Sequence, residues 1–503
     1  MKRKFLKKIG LYSITVLMVL SSCEKKLDNV IYGDLSSTVG TADFAKGTLM
    51  AAYTGMVGGT GWQEGWGSAF PGWKVQALET TDEGVCSWGG NWFRLNRLDY
   101  DPDFDWTQRP YTVLMPFISR ITVGMGQINK SPISDALKTQ YIAEMKGLRA
   151  HYSQILYSLY GPLTIKTDPA VAADPNAVDV PRPTAAEMVK QIEADYKDAI
   201  AVLPTSFKGN DYGRLTKGAA LTGLMKLYMQ EKRWADAVAT GEQIKQLGYS
   251  LASNYEDNFS MKNKSGGVSE VIFAVVCTAT PYNDIANYTN IWMAHVIPGS
   301  YKDPSGIPLM GWGGYKMPWK TYDKFDQTDK RLKVLVSKYP TGKDANGNVT
   351  YVDLRATGAI GALPIKYLPD GWTKDTQYGE TDVPVYRYAD VLLMLAEARN
   401  EVNGGPNATA YDEINTVRKR AGLAALPAGL SKSEFLAKIQ DERLFELWAE
   451  GFRREDLVRW GLYVKRAKDD GSVFATPEKV LYPLPRAVIT RSNGVIKQNP
   501  GYN

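Results

Sequence analysis

Residues 218–247 read GAALTGLMKLYMQEKRWADAVATGEQIKQL, and the fold class follows from how that stretch is spaced. Leu221, Leu224, Met225 and Tyr228 fall at i, i+3, i+4 and i+7, the repeat that lines one face of an α-helix. The polar run Gln230 to Arg233 interrupts it, and a second helical stretch runs from Trp234 to about Leu247, with Ala235, Val238 and Ile244 inside. Two helices joined by so short a turn lie antiparallel, with small residues where they cross.

The same arrangement recurs along the chain. Tyr388 to Val402 and Ala408 to Ala421 make a second pair around the breaker Asn403-Gly404-Gly405-Pro406. Gln140 to Tyr160 and Ala185 to Leu203 make a third across a Pro-rich loop, and 106–130 and 431–449 are further helical segments. Each pair resembles a tetratricopeptide (TPR) unit, but the repeats are irregular. The expected fold is therefore mainly α, an irregular TPR-like superstructure with a loop-rich insertion, rather than a uniform solenoid. That insertion spans about 251–383, between helical parts at about 41–250 and 384–503. It is rich in Gly, Pro, Asn, Tyr and Trp, with a strand expected at Glu270 to Cys277 and shorter ones at Leu332 to Ser337 and Leu363 to Leu368. So long a loop region with so many aromatics reads as a functional cap rather than a disordered tract.

The first residues read as an export signal. Lys2, Arg3, Lys4, Lys7 and Lys8 precede the apolar run Ile9 to Leu20 and then Leu20-Ser21-Ser22-Cys23. A basic start followed by a short apolar run is a secretion signal, too short to span a bilayer. Small residues before a cysteine resemble a lipobox, so 1–22 is expected to be removed, Cys23 lipidated, and 23–40 left as a tether. Without 1–22, 55 Lys and Arg face 54 Asp and Glu. The basic balance belongs to the signal, and nucleic-acid binding is not expected. Of the other cysteines, Cys277 ends the apolar run Val271 to Val276 and reads as a buried thiol; whether it meets Cys86 is open. His151 and His295 lie far apart and no Cys-x-x-Cys occurs, so no metal centre is expected; no cofactor is expected, and nothing indicates Ca²⁺.

Several ordered stretches carry a wider likeness. They are Glu144-Met-Lys-Gly-Leu-Arg149-Ala-His-Tyr152 leading to Leu159-Tyr-Gly-Pro-Leu163, Arg182-Pro-Thr184, and Asp382-Val-Pro-Val-Tyr-Arg387-Tyr-Ala-Asp390 running on to Glu397. Asp441-Glu-Arg443-Leu-Phe-Glu-Leu447, Gly451-Phe-Arg453-Arg-Glu-Asp456, Tyr482-Pro-Leu-Pro485 and Asn499-Pro-Gly-Tyr502 follow. In this order they resemble the SusD/RagB family of lipoproteins over nearly the whole chain. The resemblance implies about four TPR-like pairs supporting a loop-rich face. It implies an outer-membrane lipoprotein facing the exterior, closing over a SusC-like TonB-dependent transporter and delivering oligo- or polysaccharide to it. In the RagB branch the ligand is peptide. It also implies no catalysis.

Two features bear on the site. Glu442, Glu446 and Glu450 recur every four residues beside Arg443, Arg453, Arg454 and Arg459, and read as helix-surface ion pairs rather than a hydrolytic carboxylate pair. A surface glycoside hydrolase using Asp82 and Glu83 is the remaining enzymatic alternative. Tryptophan placement points elsewhere. Nine of the 13 fall in 62–106 (Trp62, Trp66, Trp73, Trp88, Trp92, Trp106) and 292–319 (Trp292, Trp312, Trp319), in non-periodic sequence, whereas Trp234, Trp448 and Trp460 sit in helical context. Such rings can stack on the C–H faces of sugars while polar neighbours read the hydroxyls. Trp88 and Trp92 are the expected platform, with Asp82, Asn91 and Arg94 as polar readers; Arg94 also suits an ion pair or a cation–π contact. Tyr282, Asn283, Trp312, Tyr315 and Trp319 are further candidates from the insertion.

Overall fold

The computed structural model describes residues 41–57, 73–278, 290–307, 309–372 and 378–502. Cys23 and the signal therefore lie outside the described residues, as do Trp62, Trp66, Tyr282 and Asn283. The body is a continuous stack of helices. α1 (Ala42–Tyr53), α2 (Trp73–Glu79) and α3 (Asn91–Asn96) come first. The long helices α4 (Asp105–Lys130) and α5 (Asp135–Tyr160) follow, then α6 (Ala185–Val202), α7 (Lys217–Gln230) and α8 (Trp234–Lys245). After the insertion, which contains the short α9 (Trp292–Val296), come α10 (Tyr388–Val402), α11 (Ala408–Arg420), α12 (Lys432–Leu447) and α13 (Arg453–Arg459). From α4 to α8 each long helix packs on the next, α8 packs on α10, and α10 on α11 and α12, so the stack runs past the insertion without a break. Capping boxes at Thr184/Glu187 and Ser431/Glu434 start α6 and α12, each satisfying backbone N–H groups the first turn leaves unpaired. The small residues expected at the crossings are there. A Cβ on Gly223 of α7 would lie 2.5 Å from the Tyr196 ring of α6, and one on Gly241 of α8 would lie 2.6 Å from Leu395 of α10.

α4 carries Pro110 and Pro116 inside it, which the sequence reading of 106–130 passed over. Pro110 has no N–H to give the carbonyl of Trp106, four residues back. The Gln76 amide of α2 donates to that oxygen instead, at 2.6 Å. In the next turn the Tyr160 hydroxyl accepts from Tyr111 N–H and donates to the Thr107 carbonyl, bridging the bond the ring displaces. This repair ties α2 and the end of α5 to the turn that holds Trp106.

The insertion is closed at its base. β2 (Val271–Val275), within the expected strand, pairs antiparallel with β7 (Val383–Arg387), matching Val271 with Arg387 and Val275 with Val383. β1 (Val85–Cys86), β3 (Tyr315–Pro318) and β6 (Gly361–Ala362) form a small sheet in the order β1-β3-β6, and β4 (Lys338–Lys343) with β5 (Val349–Asp353) a hairpin. The expected strand at Leu332 to Ser337 is instead mostly a 3₁₀ turn, Lys330–Val334, followed by a single bridge from Val336 to Leu363. That bridge is also the whole strand contribution of Leu363 to Leu368. Short apolar runs do not fix their own conformation; here burial of Val334 and Leu335 is served by a turn.

The carboxylates of the α12 stripe are not on a helix surface, which corrects the sequence expectation. Glu442, Glu446 and Glu450 are at most 2% exposed. Their partners come from distant segments. Arg331 reaches Glu442 (2.7 Å), Glu446 (3.1 Å) and Asp329 (2.8 Å). Arg387, at the end of β7, reaches Glu270 (2.5 Å), Glu446 (2.9 Å) and Glu450 (2.6 Å). Arg420 pairs with Glu446 and Glu270, Arg418 with Glu442, and Lys366 with Glu450. Five cations thus face five carboxylates. Burial alone would raise the Glu446 carboxyl, but Arg420, Arg387 and Arg331 hold it down at about 2. The network clamps the cap onto the helical body.

Candidate functional site: an aromatic face beside the small sheet

The pairing of β1 with β3 builds the site. Cys86 lies opposite Tyr315 and Val85 opposite Lys316, so the chain leaving β1 at Ser87-Trp88 meets the chain entering β3 at Trp312-Gly313-Gly314. Ser87 N–H donates to the Gly314 carbonyl at 2.9 Å, and the Trp88 indole N–H donates to the Trp312 carbonyl at 3.2 Å. Gly314 is required by this approach, since a Cβ there would stand 2.7 Å from the Trp88 ring. Gly90, at φ +55°, turns the chain into α3, a conformation side chains rarely adopt. Trp312 N–H and Gly314 N–H donate to the carbonyls of Ala294 and His295, at 2.7 and 2.8 Å, fixing the loop on α9.

Behind the two loops stands a packed set of rings. Trp292 stacks on Tyr315 (5.5 Å, 24°), and Tyr315 on His295 (5.7 Å, 12°). Trp312 sits edge-on to His295 at 4.6 Å, and Trp88 lies 5.6 Å from the same imidazole. Trp92 is wedged edge-on among Trp88 (5.6 Å), Tyr315 (5.4 Å) and Trp106 (4.6 Å). These are the offset and edge-to-face geometries aromatic pairs prefer. Exposure then divides the set. Trp88 is 40% and Trp312 38% exposed, whereas Trp92 is 7%, Tyr315 0% and Trp292 and His295 1%. Burial pulls the His295 pKa down to about 4, so the backing is uncharged at neutral pH.

The sequence candidates separate accordingly. Trp88 and Trp312 are brought together as an open pair, while Trp92 and Tyr315 form its buried backing. Asn91 is exposed in the first turn of α3, next to the pair. Arg94 makes both contacts foreseen for it, bonding Asp101 at 3.0 Å and lying 4.2 Å over the Phe104 ring. Asp82 is committed elsewhere. Its two oxygens take Arg453 at 2.8 Å each, and although burial opposes ionisation, that guanidinium holds the carboxyl at about 2. Glu83 is buried, and burial pushes its carboxyl up to about 8. This pair is therefore not presented to solvent as a hydrolase would need. Trp319 lies past the other end of β3, with its indole N–H on the Ala359 carbonyl (2.6 Å) and Arg355 3.9 Å over its ring. His295 is not among the binding candidates of the sequence, and Trp106 enters there only as one of the clustered tryptophans; their places, against Trp88 and Trp92 respectively, come from packing between separate segments. Cys86 and Cys277 are both buried free thiols. Among the described residues no cluster of three or more His, Cys, Asp or Glu side chains is placed to hold a metal ion.

Comparison with known proteins is consistent across the chain. A family model described as the SusD family matches residues 269–502, and one described as starch-binding associating with outer membrane matches residues 74–229. SusD-like protein P25 of Formosa agariphila is 27% identical, over 70% of this chain and 69% of its own length. The starch-binding protein SusD of Bacteroides thetaiotaomicron is 24% identical over the whole of both chains. Among solved structures, a laminarin binding SusD-like protein superposes with a TM-score of 0.74 at 24% identity, covering 92% of this chain and 100% of its own. Surface glycan-binding protein A from Bacteroides thetaiotaomicron, solved in complex with laminarihexaose, gives 0.73 at 19% identity, covering 91% and 99%. These superpositions establish a common mainly helical, TPR-like fold.

Proposed function

Because the chain belongs to the SusD/RagB family, we propose that it is a glycan-capturing surface lipoprotein whose contact platform is the exposed pair Trp88 and Trp312. The observation that carries this reading is the pair itself. Two indoles are held open on loops, tied by the bond from the Trp88 indole N–H to the Trp312 main-chain carbonyl and backed by a packed ring cluster. Exposing such rings forgoes their burial, roughly 25 cal/mol per Å² of apolar area, and a sugar face would recover it. Loops positioned by a rigid scaffold are the usual place for binding residues. The names of relatives that bind starch or laminarin favour a glycan over a peptide. In this reading Cys23 carries the lipid that tethers the protein to the outer face of the outer membrane. The captured glycan passes to a SusC-like TonB-dependent transporter, and the chain itself does no chemistry.

Affinity electrophoresis through gels containing a panel of neutral polysaccharides tests the proposal. Retardation by at least one of them is expected; unimpeded migration through all would overturn it. Binding should also be indifferent to the ionisation of His295. His295, held near 4 by burial, stays neutral from about pH 8 down to about 5.5. Its protonation, which would place a charge between Tyr315 and Trp312, begins only below that window. No titration step that His295→Gln removes should appear across it; such a step would mean the imidazole is solvated, whereas a step near 7 or 8 belongs to Lys74, whose ammonium lies 5.2 Å from the Trp292 ring, or to Glu79, which accepts from the Cys86 N–H.

A further inference from the structure

Among the described residues every buried Asp or Glu faces an Arg or Lys in an ion pair, with two exceptions, Glu79 and Glu83. Both lie where the chain runs from α2 through a turn into β1. Glu79 is fully buried and accepts from the Cys86 N–H at 3.0 Å through Oε2, while Glu83 is 2% exposed and faces the Ala449 N–H beyond α12. In each, Oε1 is buried without a hydrogen bond. Neutral groups hold the rest of the turn. The Asn96 amide of α3 donates to the Glu79 and Gly84 carbonyls at 3.1 and 3.4 Å, and the Thr321 hydroxyl donates to the Asp82 carbonyl. A carboxylate ionised there would lack a counter-charge, which a buried acid avoids by keeping its proton. Burial accordingly raises both carboxyls to about 8.

We propose that the segment from Glu79 to Cys86 is a proton latch: it stays seated under β1 and against α12 while Glu79 and Glu83 hold their protons, and their ionisation releases it. The groups around the two carboxyls set the sense of the response. Cys86 and Tyr315 face Glu79, with Lys316 of β3 beyond Cys86. Asp82, Arg453 and Lys366 face Glu83, but Arg453 already holds Asp82 through two bonds and Lys366 holds Glu450. Lys74 of α2 also lies near Glu83, among Lys366, Glu450 and Cys277. Burial lowers Lys74 from 10.5 to about 7, so above 7 it favours the closed segment increasingly as pH rises. The carboxyls act the other way. Between their ordinary 4.5 and about 8, the opened segment gives up protons that the closed one keeps. Opening should therefore become easier by about tenfold per pH unit for each carboxyl that it exposes.

Hydrogen exchange of the full chain, followed on peptides covering 79–86 from about pH 5 to 7.5, tests the latch. Glu79→Gln, Glu83→Gln and the double variant supply amides that stand in for the protonated acids. The opening constant of wild type, divided by that of the double variant, should rise about tenfold per pH unit if one carboxyl is exposed on opening and about a hundredfold if both are. The division removes the contributions of Lys74 and His295, which both proteins share, and each single variant should remove its own carboxyl's share. Peptides from α7 should show no such rise. A ratio that does not change with pH would overturn the latch, and if the double variant does not fold, the same ratio taken with each single variant decides. No glycan enters the measurement, so its failure would leave the proposed function standing.

Discussion

Arg387→Met will destabilise the protein by about 3–5 kcal/mol, seen as a lower midpoint in denaturant unfolding. The side chain is fully buried and its guanidinium contacts Glu270, Glu446 and Glu450 at 2.5 to 2.9 Å, with a further bond to the Glu446 carbonyl. Methionine fills much of the same volume, so the loss is not mainly a cavity. It is the cost of removing one cation from interior carboxylates that Arg420, Arg331 and Lys366, which already pair with the same Glu270, Glu446 and Glu450, are then left to balance. The network also joins the last residue of β7 to α12, so its failure should loosen the cap before the helical stack. Lys465→Met is the control, because its pair with Asp469 is open to water (64% and 51% exposed) and such pairs contribute little. Equal midpoints for the two variants would mean that the buried charges are not holding the cap.

What was legible in the sequence, and what was not, follows from the range of the interactions. Helices α4 to α8 and α10 to α12 could be read because each writes its own period, and Pro110 did not hide α4 since Gln76 and Tyr160 repair its hydrogen bonds. β7 went unread as a strand, although Val383 to Arg387 closes the insertion, because only pairing with β2 makes it one. The acidic stripe of α12 was placed on the wrong side of the surface for the same reason. Glu442 and Glu446 look like solvent-facing charges until Arg331 and Arg387, far away in the chain, are set against them. At the site the tryptophan-rich segments were visible in composition, but not which rings would be open. That division is made by β1 pairing with β3, which leaves Trp88 and Trp312 outside and seals Trp92 and Tyr315 within. The pairing of Asp82 with Arg453 could not be read locally, because the two lie 371 positions apart.

The open rings and the sealed ones should therefore fail in different ways when truncated. Trp88→Ala/Trp312→Ala should abolish retardation by a polysaccharide that slows the wild-type chain, and either single change should weaken binding by about 2 kcal/mol, roughly thirtyfold. Thermal unfolding should fall less than for a sealed ring, since the two side chains are already 40% and 38% exposed. Trp92→Ala should do the reverse. Its ring is 7% exposed and touches Trp88, Trp106 and Tyr315, so removal opens a cavity worth about 3–5 kcal/mol. Binding would then fall only as far as the collapse displaces Trp88. If Trp88→Ala/Trp312→Ala keeps wild-type affinity while Trp92→Ala remains folded and loses it, the ligand lies on another face, and the exposed pair is an ornament of the loops rather than their purpose.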